Sequence, residues 1–177
     1  MKKLLLTVGL FLAALPSFAQ YSALKLSLWD QMAWATSQTI NDIAGVDLGI
    51  GSTSEYMKGL QLDLAWAEAR YELHGLSMTW GVAKADKANG AQIAAVTISE
   101  DMHGVQLGGV NMSGSTLKGV QIGFFNNAED LQGFQVGLIN HAKNIYGVQF
   151  GLINVCENGF LPVFVFVNGR FDSSFKI

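Results

Sequence analysis

An all-β array of short repeats is the fold this sequence predicts, and three observations predict it. The octapeptides GVQLGGVN, GVQIGFFN, GFQVGLIN and GVQFGLIN recur from Gly104, Gly119, Gly133 and Gly147. Glycines that open similar units run back to Gly45 through Gly59, Gly75 and Gly90, at spacings of 14 to 16 residues. Inside each unit the second, fourth and sixth residues are apolar in nearly every case, as in Leu60, Leu62 and Leu64 or Val148, Phe150 and Leu152, which is the two-residue period of a strand.

The elements follow in chain order. Residues 1–19 have the three-part layout of a secretory signal, Lys2 and Lys3, then the apolar run Leu4 to Leu15, then Pro16, Ser17, Phe18 and Ala19. That run is shorter than the roughly 20 residues a membrane-spanning helix needs, and no cysteine follows it to carry a lipid. Residues 20–44 read as an N-terminal strand, Leu24 to Asp30, followed by a cap or loop from Gln31 to Ala44. Residues 45–160 form the repeat array. Residues 161–177 hold a degenerate ninth unit, which still ends in Asn168, and a tail.

Two architectures accommodate this pattern. Each unit is either one coil of a β-solenoid or one strand of an antiparallel meander closed into a small outer-membrane β-barrel. The coil is favoured. Strands of a membrane meander alternate in direction, so alternate units and alternate turns should resemble each other, and no such alternation is present. A further apolar residue stands two before each glycine, at Met57, Leu73, Ala88, Met102, Leu117, Leu131 and Ile145, an odd number of positions from the apolar second residue. Both then reach one core only through a bend, which a coil supplies. In-register stacking also gives repeated amides a purpose, because identical Asn or Gln side chains about 4.8 Å apart can hydrogen-bond along the stack.

The size of the aromatic residues weighs against the coil: Trp80, Phe124, Phe134, Phe150, Phe164 and Phe166 are large for a thin interior. The two folds predict opposite burial, with Val120, Ile122 and Phe124 in the core of a coil or against lipid in a barrel.

The units GVQIGFFNNAEDLQ, GFQVGLINHAKNIY and GVQFGLINVCEN, closing with NGFLPVFVFVNGRF, resemble the surface-repeat proteins of the bacterial envelope found in spirochaetes and other Gram-negative bacteria. The resemblance covers Gly45 to Phe171. It implies export and a place at the cell surface, in the outer membrane or in the periplasm, and it brings no activity with it. The earlier units depart from it at Trp66, Trp80 and Thr97.

Composition narrows the function. A formal charge of −3 with few charged residues leaves no basic patch for nucleic acid, and the single Cys156 cannot form an internal disulfide. An enzyme needs convergent acids, bases or nucleophiles, and the repeated residues are Gly, Gln, Asn and aliphatics. His74 and His103 each precede a repeat glycine two units apart, about 10 Å by the strand spacing, too far to share a metal. His141 occupies another slot. Glu100, Asp101, Glu129, Asp130 and Glu157 read as solvated turn residues, and Cys156 replaces a small repeat alanine. Trp29, Trp34, Trp66 and Trp80 fall in the first half and read as a closure of the N-terminal end of the core.

The candidate surface feature is therefore a ladder of Gln106, Gln121, Gln135 and Gln149 with Asn111, Asn126, Asn140 and Asn154. The expectation is a non-enzymatic exported repeat protein without cofactor. It would present a structural, adhesive or partner-binding surface to a protein, a glycan or another envelope component and is compatible with outer-membrane association; the alternative is a small outer-membrane β-barrel protein serving permeation or as a membrane scaffold.

Overall fold

The computed structural model describes residues 21–29, 32–34 and 42–170. The signal-like segment, most of the 31–44 cap and the tail beyond Arg170 lie outside the described residues. All described elements are strands: β1 (Ser22–Trp29), β2 (Met32–Trp34), β3 (Asp42–Thr79), β4 (Val82–Ile122), β5 (Phe125–Val136), β6 (Ile139–Cys156) and β7 (Val163–Arg170). The long strands bend repeatedly, so β3 and β4 each contain more than one turn of a coil. Successive turns pair in parallel and in register, Val120 on Phe134 on Val148 and Asn126 on Asn140. The molecule is a β-solenoid, not a barrel.

The strand alternation fixes which side chains enter the coil. From Leu131 the chain runs straight through Gly133 to Leu138, so Leu131, Gly133, Gln135 and Gly137 share the inner side while Gln132, Phe134, Val136 and Leu138 point outward. The direction reverses between Leu138 and Ile139, both turned away from the interior, and Asn140 and Ala142 then point in. A second bend after Ala142 returns the chain to Ile145. One long wall and one short wall thus enclose a core with four inward columns. The first column holds Leu117, Leu131 and Ile145, the second Gln121, Gln135 and Gln149, the third Asn126, Asn140 and Asn154, and the fourth Ala128, Ala142 and Cys156. All of these side chains are at most 2% exposed.

This arrangement corrects the expected burial of the even positions. Ile122 is 43% and Phe124 62% exposed, and Val120 is half-buried among its outward neighbours. The parity observation was sound, but no bend separates the leucine column from the start of the next unit. One continuous strand carries both, so the leucines face in and the second, fourth and sixth residues face out. The thin interior that argued against large aromatics in a coil is respected, since none of them lies in it.

Glycine opens every unit for a steric reason. At Gly133, φ is +143°, and a Cβ would lie 2.0 Å from the carbonyl oxygen of Gly119 in the coil below. The column repeats this contact from Gly45 to Gly147. Units longer than 14 residues absorb their extra residues in the short wall, where the register shifts between Ala69 and Glu72 and between Ser113 and Thr116. The ends depart from the parallel stack. β2 pairs antiparallel with β1, and β7, the degenerate unit of the sequence, pairs antiparallel with β6 and forms the last strand of the sheet.

Candidate functional site

The predicted ladder exists, but inside the coil rather than on its surface. Gln106, Gln121, Gln135, Gln149, Asn111, Asn140 and Asn154 are 0% exposed and Asn126 2%. Each asparagine donates from Nδ2 to Oδ1 of the next: Asn111 to Asn126, Asn126 to Asn140 and Asn140 to Asn154, all at 2.8 Å. The other amide proton goes to a main-chain carbonyl, at Ile122, Val136 and Phe150 in turn. The glutamines donate the opposite way along the axis, Gln121 to Gln106 at 2.8 Å, Gln135 to Gln121 at 2.7 Å and Gln149 to Gln135 at 2.8 Å. Each amide chain is thus bonded along its own row and to main-chain carbonyls, the two rows running in opposite senses; Gln92 Nε2 and Gln149 Oε1, at the two ends of the glutamine row, have no partner.

The asparagines also explain a second glycine. A Cβ on Gly137 would meet the Nδ2 of Asn126 at 2.5 Å, and one on Gly151 would meet that of Asn140 at 2.5 Å. In earlier coils the asparagine slot holds Ala67 or Ala83, and there the glycine slot holds Asp63 or Thr79. Space lost on one side of the corner is recovered on the other.

Among the described residues, that exchange creates the one charged site of the interior. Lys25, Asp47 and Asp63 are each at most 5% exposed at the N-terminal end of the core. Lys25 lies 3.9 Å from Asp47 and donates to the Thr53 carbonyl at 2.5 Å, while Ser52 and Ser27 donate to Asp47. Neither oxygen of Asp63 has a hydrogen-bond partner. Burial first, and then the like charge of Asp47, push its carboxyl up to about 7. Asp47 is raised by burial as well, against the opposing Ser52 hydrogen bond and Lys25 charge. Sequence reasoning missed this group, although the replacement of Gly by Asp63 at an inward slot was the available signal.

The histidines stay apart and exposed. His74 pairs with its neighbour Glu72 at 3.3 Å, and His141 contacts Asn127 of the coil below at 2.7 Å. Among the described residues no three His, Cys, Asp or Glu side chains gather as metal ligands. Of the turn carboxylates, Glu129 pairs with Lys143 at 2.8 Å and Asp130 accepts from Asn144 at 2.7 Å, contacts between coils at the exposed edge that add little stability. Cys156 fills its alanine slot at 0% exposure, donates to Asn158 Oδ1 at 3.1 Å, and has its thiol raised by burial.

What remains is the outer face of the long wall, and it is the structure's distinctive surface. Its second, fourth and sixth residues are apolar in every coil from Val46, Leu48 and Ile50 to Val148, Phe150 and Leu152, with no charged side chain among them. Leu64 is 58%, Phe124 62% and Leu152 57% exposed. Trp80 is 81% and Trp29 60% exposed, so these tryptophans do not close the core as expected but stand on the outside. The side chain of Trp34 lies outside the described residues. A recess of about 370 Å³ opens in this wall between Leu62, Leu64, Met78, Trp80 and Ile93, beside Asp63. Among the described residues, the charged side chains that reach the surface are confined to the edges and to the short wall. No protein-family model, curated protein or solved structure matches the chain.

Proposed function

We propose that the chain is a non-enzymatic, exported repeat protein of the bacterial cell envelope that uses the outer face of its long wall as a docking surface. The carrying observation is the charge-free apolar wall itself. The largest contiguous apolar patch on a monomeric soluble protein is typically about 300–600 Å², and three apolar residues per coil over the stack from Gly45 to Gly147 make one at or above the top of that range. The interior supports the reading from the other side, because its amide rows spend most of their polar groups on one another and its acid–base cluster, Lys25, Asp47 and Asp63, is at most 5% exposed. Export rests on the signal-like N-terminus and on the resemblance to envelope surface-repeat proteins. A protein, a glycan or a further envelope component remain the classes of partner.

Fractionation of cells producing the full chain tests the location. Recovery from the envelope or periplasm with a mature mass that lacks about the first 19 residues is expected. Retention in the cytoplasm with the N-terminus uncleaved would refute the exported reading.

A further inference from the structure

The size, flatness and period of the long wall select one occupant, and we infer that it is a second copy of this chain, packed wall to wall as a two-fold dimer. This rests on the reading of the wall as a docking surface. Eight stacked coils, counted by their glycines from Gly45 to Gly147, span about 34 Å at the inter-strand spacing, and the second to sixth residues span about 13 Å along the strand. Side-chain overhang brings the face to about 500–700 Å² per protomer, so two copies bury about 1,000–1,400 Å², at the lower end of the range for a specific interface and at or above the roughly 1,000 Å² that one needs.

The period makes a copy a better fit than an unrelated surface. Two identical sheets carry rows of side chains at the same spacing, so their ridges and grooves stay in step along the whole contact, about 10 Å between sheets. The wall also varies in height. Ala91, Ala95 and Gly109 make a low middle, flanked by the taller Trp80 on one side and Phe124 on the other. A two-fold axis along the strands through the middle of the eight coils sets Trp80 of one copy against Phe124 of the other on both sides of the low rows, two aromatic contacts for each pair. Charge does not oppose the approach, since the face has none and the chain carries only −3. An isologous interface of this kind is a sandwich core made from two molecules.

The test measures mass in solution. The full chain, expressed with its own N-terminal segment so that processing can take place, is examined by sedimentation equilibrium at about 10–50 µM beside the double variant Ile122→Glu/Leu138→Glu. Both substituted side chains point outward, so the fold should survive, as read by far-ultraviolet circular dichroism. The wild-type chain should sediment as a dimer and the variant as a monomer, a loss of at least about 100-fold in association, since each desolvated unpaired carboxylate opposes the contact. A dimer that persists in the folded variant overturns the inference. A wild-type monomer also overturns it, and if that monomer floats with phosphatidylcholine vesicles the wall is a lipid face, while the exported docking reading stands. Should the double variant misfold, Leu107→Cys in a Cys156→Ala background decides. Oxidation should give a disulfide-linked dimer, whereas Lys143→Cys on the short wall should not. Equal crosslinking at both sites refutes wall-to-wall packing.

Discussion

Replacing Asn126 by alanine tests the interior amide chain against its own outside. Asn126 accepts from Asn111 Nδ2 at 2.8 Å, donates to Asn140 Oδ1 at 2.8 Å and donates to the Val136 carbonyl at 2.9 Å. Asn126→Ala leaves one Asn111 amide proton and the Asn140 oxygen buried without partners. The Val136 carbonyl keeps the Gly123 amide at 3.0 Å. Two orphaned buried groups at about 1–3 kcal/mol each, with a small cavity added, put the loss at about 3–6 kcal/mol, a large part of the roughly 5–15 kcal/mol that holds a typical domain. The neighbouring Asn127 supplies the control. It has the same side chain, points outward and meets only exposed His141, so Asn127→Ala should change stability by about 0.5 kcal/mol or less. Urea unfolding followed by circular dichroism reads both from the midpoint shift at constant slope. A loss below about 1 kcal/mol for Asn126→Ala, or equal losses at the two sites, would show that the amide chain does not hold the coils together.

Three other outcomes follow from the same geometry. Gly133→Ala should prevent folding, because its Cβ would meet the Gly119 carbonyl oxygen at 2.0 Å in a backbone conformation with φ of +143°, and a soluble variant with a normal circular dichroism spectrum and melting temperature would contradict the stacked-glycine column. Leu131→Ala, at a site 0% exposed, should lose about 2–5 kcal/mol in the urea experiment; a loss under about 1 kcal/mol would mean that the leucine column is not core. The third outcome concerns pH. Asp63 holds its proton to about 7 in the fold, against the ordinary 3.8, so between those values the unfolded chain has released a proton that the folded chain keeps. The Asp63 contribution to stability is then fully present below about 4 and is lost as pH rises through about 7. Asp63→Asn should flatten much of this fall and raise the melting temperature at pH 8, and a pH profile identical to wild type would remove Asp63 as its source.

Much of the fold was legible because the repeat period and the strand period are both written in residue types. Recurrence of Gly, Gln and Asn together placed the units, and similarity between consecutive units pointed to parallel coils. The inside and outside were read the wrong way round for a physical reason: Val120, Ile122 and Phe124 are more hydrophobic than Gln121, and ranking by hydrophobicity puts them in the core. Strand parity carried the better information. Counting back from Gly119 places Leu117, Gly119, Gln121 and Gly123 on one side, and a narrow coil admits glycine and an extended amide where it cannot admit phenylalanine. A buried glutamine normally incurs a desolvation cost, but register with an identical neighbour removes that cost, and no single repeat displays it. The Asp63 site was less legible still, because it depends on a space opened by Ala67 across the corner.

The two faces of the long strand also differ in how tightly they are specified. Along the inner side the glutamine slot reads Gln92, Gln106, Gln121, Gln135 and Gln149 without a break, because Gln106, Gln121 and Gln135 are each both donor and acceptor to their neighbours and a substitution there orphans two groups at once. Along the outer side the fourth residue reads Ile93, Leu107, Ile122, Val136 and Phe150, so any apolar side chain serves. The coil thus draws its uniqueness from the interior and leaves the wall free to vary in shape while staying greasy. If the wall were needed to hold the coil together, its members would be buried against another layer of the same chain, and Phe124 at 62% exposure is not. An apolar but variable face, on a scaffold stabilised elsewhere, would separate the proposed docking from folding. Substitutions such as Ile122→Glu should then abolish the proposed association while the solenoid remains intact.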